Sequence, residues 1–150
     1  MILEDLKLKN KIKVVDVGAA AIAEEPIYKN LVDSKIADLI AIDGDIRQKQ
    51  KILNSYNGNV SVINEFISDG KDHNLYLCTK ESGMTSLLKP DNNALSFFNG
   101  FDKFGEVIKT EKIKTKKLDN LENIGSIDFL KIDAQGSELN IISNGTKSLK

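Results

Sequence analysis

Cysteine and histidine are almost absent from this sequence: Cys78 and His73 stand alone. One cysteine excludes an intrachain disulfide and a cysteine-cluster metal centre. One histidine excludes any site that takes two imidazoles from the same chain. Tryptophan is missing, and the two prolines, Pro26 and Pro90, lie outside any Pro/Gly/Ser tract that would divide the chain. An excess of one charge is missing too. Lys and Arg number 21 against 22 Asp and Glu, a net charge of −1, which excludes attachment to nucleic acid or membrane mainly by bulk charge. Long apolar runs are lacking as well. The longest, Val14 to Ala23, is interrupted by Asp16, whereas a spanning helix needs about 20 apolar residues. Met1 to Lys7 is too charged for a signal peptide. A cytoplasmic setting, without membrane or nucleic acid as partner, is the expectation.

What is present suits a folded chain. The 150 residues are 41% hydrophobic and 29% charged, enough for one core. Without a repeat or linker, residues 1–150 read as a single domain in three parts. Residues 10–70 alternate strand and helix, 71–115 hold a hairpin and a Phe-rich loop, and 116–150 hold a further strand and a helix. In the first part, strands are expected at Ile12–Val17, Ala37–Ile42 and Asn59–Ile67. A helix from Glu24 to Val32 places Ile27, Tyr28 and Leu31 on one face, and a second from Ile46 to Tyr56 turns Ile46, Leu53 and Tyr56 inward. Strand, helix, strand, helix, strand argues for an α/β fold, a parallel sheet with helices on both faces. Asn74–Thr79 and Glu106–Thr110 alternate like strands with one wet face. Between them Lys80 to Gly105 carries Ser82-Gly83-Met84-Thr85-Ser86 and four of the six phenylalanines, Phe97, Phe98, Phe101 and Phe104. Their near-helical spacing reads first as a short packing helix and second as a lid over a substrate. Ile127–Asp133 is a fourth parallel strand. A helix with Leu139, Ile141 and Ile142 follows, broken at Asn144-Gly145.

Three acids end three of these strands: Asp16, Asp43 and Asp133. In open α/β sheets, ligands bind just beyond the carboxyl ends of the strands. Gly18 allows close backbone approach there, and the small Ala19 and Ala20 leave room. The dinucleotide fingerprint G-x-G-x-x-G is missing after Gly18, so a pyrophosphate is disfavoured and a nucleoside is not. Asp43, 27 residues after Asp16, stands where nucleotide sites of this architecture put an acid for the ribose hydroxyls. Asp133 has three candidate roles: facing a charged ligand centre, acting as a base, or holding a divalent ion with Glu138. It also suits the N-terminus of the next helix. Asp69, in Ser68-Asp69-Gly70, reads first as a turn residue and second as a contact for a base. His73 shows no partner in the sequence, and Cys78 reads as packing.

These segments in this order resemble the FkbM family of S-adenosylmethionine-dependent methyltransferases. The matching stretches are Val14–Ala19, Ala41–Asp43, Val62–Asp69, Lys116–Leu121 and, most specifically, Ile127–Leu139 with Lys131-Ile132-Asp133-Ala134-Gln135-Gly136-Ser137-Glu138. The resemblance implies a Rossmann-like class I methyltransferase fold that binds S-adenosylmethionine and methylates a hydroxyl on a saccharide or other small molecule. Carried over by position, Asp16, Gly18 and Ala19 line the methionine side, and Asp43 binds the ribose. Ile67, Ser68 and Asp69 border the adenine, and Asp133 lies near the sulfonium, where it is the candidate base. No metal is called for. Ala20 and Ile22 replace the Asn and Gly usual in the family, and Ile22 would crowd the methionine end. The chain stops at Lys150, short of the family's last strands. That predicts a C-terminally truncated fold with an exposed edge that favours homo-oligomers. The alternatives are a pseudo-methyltransferase that binds a nucleoside or partner without turnover and, last, a nicotinamide-dependent oxidoreductase.

Overall fold

The computed structural model describes residues 8–20, 25–79 and 83–150. In chain order the elements are β1 (Ile12–Val17), α1 (Lys29–Asp33), β2 (Ala37–Ile42), α2 (Gln48–Asn54), β3 (Asn59–Ile63), β4 (Asp72–Cys78), α3 (Asn92–Leu95), α4 (Phe101–Phe104), β5 (Val107–Lys114), a 3-10 turn (Leu118–Asn120), β6 (Phe129–Ile132) and α5 (Glu138–Ser143). Strands β3, β2, β1 and β6 hydrogen-bond in that order, all parallel. Strands β4 and β5 pair antiparallel in a separate ribbon. The mixed α/β architecture is consistent with a Rossmann-like fold.

The parallel strands read as continuous apolar runs because both faces of their sheet are covered. Val14, Leu39 and Val60 stand in register and point to one face, where Tyr28, Val32 and Ile52 from the α1 and α2 segments close over them. One residue on, Val15, Ile40 and Leu130 point to the other face. They join Val17, Ile42, Ile67, Leu118, Ile124 and Ile141 there. The period of two therefore sorts each strand between two cores.

The helices are shorter than their patterns predict. α1 starts at Lys29, because Pro26 and Ile27 belong to a turn in which the Pro26 carbonyl accepts from the Lys29 N–H at 2.9 Å. Ile27 shares a face with Tyr28 and Leu31, the three lining one groove, but it is 84% exposed rather than packed in the core. Glu24 lies outside the described residues. α2 likewise loses its first turn: Ile46 is exposed, and Ile52 is the buried side chain. Asp45 still marks the entry, its Oδ1 accepting from the Arg47 N–H at 2.9 Å.

The third strand stops at Ile63 rather than Ile67, because the following residues fold back over the end of β2. The Asn64 side chain donates to the Asp43 carbonyl at 2.7 Å. A Cβ at Gly44 would meet the Phe66 ring at 2.1 Å, so that ring covers the glycine. Ile67 then pairs with Lys116 in a single bridge.

The Phe-rich segment does form helical turns, α3 and α4, with Asp91 capping α3 through the Asn93 and Ala94 N–H groups. Its phenylalanines do not pack under anything. Phe97 is 86% exposed, and Phe98, Phe101 and Phe104 are exposed too, touching one another with centroids 5.6 and 5.9 Å apart. Lys80 to Ser82 lie outside the described residues. Beyond β6 no further strand pairs among the described residues, and Leu139 and Ile142 of α5 are exposed while Ile141 is buried. Among the described residues no helix is long and apolar enough to cross a membrane.

Candidate functional site

Parallel strands that run one way deliver their last residues to one edge, and here that edge collects carboxylates. Asp16 is the penultimate residue of β1, Asp43 follows β2 directly, and Asp133 follows β6 directly. Their charges are close enough to act on one another: Asp16 feels Asp133, and Asp43 feels Asp16. The turn after β1 holds the edge together. Gly18 has φ +79°, its N–H donates to the Ile42 carbonyl at 2.9 Å, and the Ala19 N–H reaches the same oxygen at 3.2 Å. A Cβ on Gly18 would meet the Asp133 carbonyl oxygen at 2.0 Å, so only glycine lets the β1 turn sit against the end of β6.

Asp16 is 2% exposed, and each oxygen of its carboxylate has one partner on the α1 side of the sheet. One oxygen accepts from the Tyr28 hydroxyl and the other from the Lys131 ammonium at 3.0 Å. Lys131 is the register partner of Asp16 across β1 and β6, so the two side chains leave the sheet on the same face. Burial pushes the Asp16 carboxyl above the usual carboxylate range, and Tyr28 and Lys131 pull in the opposite direction. Burial and the Asp16 hydrogen bond push the Tyr28 hydroxyl up as well. Sequence reasoning overlooked both partners. The signal for Lys131 was a charge inside the otherwise apolar run of β6. For Tyr28 there was none, because which side chain of a turn reaches back to a strand is a tertiary matter.

Asp43 is half-buried. Its Oδ1 accepts from the Asp45 N–H at 2.8 Å. Burial raises its pKa, opposed by that N–H and the Ala20 N–H. Asp133 is exposed, with Oδ1 accepting from the Gln135 side chain at 2.8 Å. Glu138 does not reach toward it: its carboxylate accepts from the Gly136 N–H at 3.1 Å, and backbone N–H groups hold its pKa low.

Past β3, Ser68 is fully buried and donates its N–H to the Lys116 carbonyl, while its hydroxyl has no hydrogen-bond partner among the described residues. Asp69 is a turn residue with a partner that the sequence did not reveal: its Oδ1 accepts from the Lys71 N–H at 3.0 Å and lies 2.7 Å from Nε2 of His73. The His73 contact and the Lys71 N–H hold the Asp69 pKa down. The structure thus gathers Asp16, Gly18, Ala19, Asp43 and Asp133 around one turn. It leaves Ser68 and Asp69 apart from them, beyond β3 and just past the Ile67–Lys116 bridge. Ile22, the expected source of crowding, lies outside the described residues.

The methyltransferase FkbM domain matches the chain over residues 16–150, from the first of these acids onward. The chain belongs to the FkbM methyltransferase family. The match includes Asp16, Gly18, Asp43 and the Lys131–Glu138 stretch, so the carboxylate-rich edge is part of an FkbM domain. No curated protein and no solved structure matches the chain.

An FkbM domain is a methyltransferase domain, and in this chain it brings three carboxylates to one sheet edge. An apolar groove of about 540 Å³ lies at the opposite edge of the sheet. Ile12, Leu31, Asp128 and Phe129 are among its lining residues, and none of the three acids is.

Proposed function

We propose that this FkbM domain transfers a methyl group from S-adenosylmethionine to a hydroxyl of a saccharide or other small molecule. The observation that carries the reading is the convergence of Asp16, Asp43 and Asp133 on the turn at Gly18. In this reading the sheet is the core of a Rossmann-like class I methyltransferase fold, and the β4–β5 ribbon with its Phe-rich connection is an insertion.

The residues present fit such a ligand by chemistry. Asp43, at the end of β2, accepts from the two ribose hydroxyls. Asp16, Gly18 and Ala19 take the amino-acid end, with the buried Asp16 carboxylate complementary to its ammonium group. Ser68 brings an unpartnered buried hydroxyl to the adenine side. Asp69 stands beside it, its carboxylate held by His73 and the Lys71 N–H. When bound, S-adenosylmethionine supplies an electrophilic methyl group on a cationic sulfur. The protein aligns the acceptor for in-line attack and excludes water, so positioning supplies much of the rate. Asp133, exposed at the edge, takes the proton of the acceptor hydroxyl.

The acceptor side is bounded by the connection after β4. The Ser86 hydroxyl donates to the Gln135 carbonyl, and Leu88 packs where a Cβ of Gly136 would stand. That connection is therefore anchored beside Asp133.

Calorimetric titration with S-adenosylmethionine and S-adenosylhomocysteine tests the reading. Binding in the micromolar range is expected. Asp43→Ala should weaken it about 100-fold, the loss of hydrogen bonds to a charged group. Unchanged affinity in Asp43→Ala would remove the ribose assignment.

A further inference from the structure

We propose that Tyr28 is a positioning residue for the amino-acid end of the cofactor: its hydroxyl and the Lys131 ammonium clamp the two oxygens of Asp16 beneath the Gly18 turn. The inference rests on the S-adenosylmethionine reading above and goes beyond it by naming the residues that aim the anion.

The geometry builds the clamp from three separate elements. Asp16 leaves β1 on the face covered by α1. Lys131, its register partner on β6, leaves on the same face with its ammonium 3.0 Å from one carboxylate oxygen. Tyr28, in the turn that opens α1, reaches down to the other oxygen and is itself 2% exposed. The ring of Tyr28 is held from both sides. Tyr56 stacks on it at 6.4 Å with planes 15° apart, and Phe129 tilts against it at 6.2 Å. The hydroxyl therefore has little freedom to leave the carboxylate. A carboxylate fixed at both oxygens cannot rotate about its own axis, so its remaining lone pairs keep one direction. That is the preorganisation a cationic ligand group needs. The Lys131 side chain is 30% exposed and that of Asp16 2%, so solvent reaches the pair from the lysine side.

Several charged and titratable groups face the carboxylate. They are Tyr28 from the turn before α1, Lys131 within β6, Asp133 beyond β6 and Asp43 beyond β2. Tyr56 acts through Tyr28, its hydroxyl 3.4 Å from that of Tyr28, and Lys29 lies over the Tyr56 ring. Burial raises the pKa of Asp16, and the Tyr28 hydroxyl and Lys131 lower it. Removing the Tyr28 hydroxyl therefore moves the protonation of Asp16 to higher pH. Binding that needs the carboxylate ionised then begins to fail, on acidification, at a higher pH than in the wild type.

The test compares two ligands in the 150-residue chain. S-adenosylhomocysteine carries the amino-acid end, and 5′-methylthioadenosine has the same nucleoside without it. Tyr28→Phe keeps the ring packing and removes only the hydroxyl. It should weaken S-adenosylhomocysteine about 10-fold, leave methylthioadenosine unchanged, and move the acid limb of S-adenosylhomocysteine binding to higher pH. Lys131→Met, read the same way, should also discriminate between the two ligands, and Lys131→Arg should restore part of the loss. These two variants decide the matter if Tyr28→Phe does not fold. Equal loss of both ligands, or no loss of either, overturns the positioning role while leaving the cofactor reading in place. A wild-type chain that binds neither ligand overturns both.

Discussion

The parallel sheet and the antiparallel ribbon handle their apolar residues in opposite ways. In the sheet, Val14, Val15, Leu39, Ala41 and Ile42 are buried in the two cores on its opposite faces. In the ribbon and its connection, Leu75 and Cys78 are the buried apolar side chains among the described residues, while Leu88, Phe97, Phe98, Phe101, Phe104 and Ile108 stand exposed. The first region is a core, and its residues are apolar because both faces are dry. The second reaches the acid edge through Ser86 and Leu88, and most of its apolar residues lie outside either core. The difference teaches that apolar content and helical spacing alone do not indicate burial. A partner surface has to be there.

The sharpest way to break the comparison is at the turn that binds the sheet to its site. Gly18→Val forces a β-branched side chain into φ +79° and onto the Asp133 carbonyl. It should cost about 4 kcal/mol, measured by urea denaturation, and abolish S-adenosylhomocysteine binding. Stability near that of the wild type would show that the β1 turn and the β6 end are not in contact.

Next in size is Leu39→Ala, at the centre of the α1-side core. A loss of about 3 kcal/mol is expected, from lost burial and the cavity left behind. The counterpart in the ribbon is Phe101→Ser. This ring is larger but exposed, so the change should stay within about 0.5 kcal/mol. If Phe101→Ser proved as costly as Leu39→Ala, the Phe-rich helices would be packed in solution and the contrast between the regions would vanish.

The same contrast explains what could be read in advance. The parallel strands were legible because a strand buried on both faces is a short, unbroken apolar run that ends at a turn. Three such ends carried an acid. The resemblance to FkbM methyltransferases came from the Lys131–Glu138 stretch, which is local. Helix boundaries were less legible. Pro26 suits a helix N-terminus by sequence, whereas its carbonyl closes a turn. The end of β3 was missed because Asn64 and Phe66, compatible with a strand, are drawn over Asp43 and Gly44. The partner of His73 was invisible for another reason: the turn at Gly70 is what brings Asp69 back beside it.

The alternation of strand and helix, the placing of Asp16, Asp43 and Asp133 at strand ends, and the family are all written in the chain's local patterns. All three follow from short windows of chain, where period and turn chemistry act. Packing in three dimensions is what clasps Asp16 between Tyr28 and Lys131, buries Ser68 with its hydroxyl unpartnered among the described residues, and turns the phenylalanines outward. Those outcomes depend on sheet register and on which surfaces meet. These are set by contacts between residues far apart in the chain, and no local pattern encodes them.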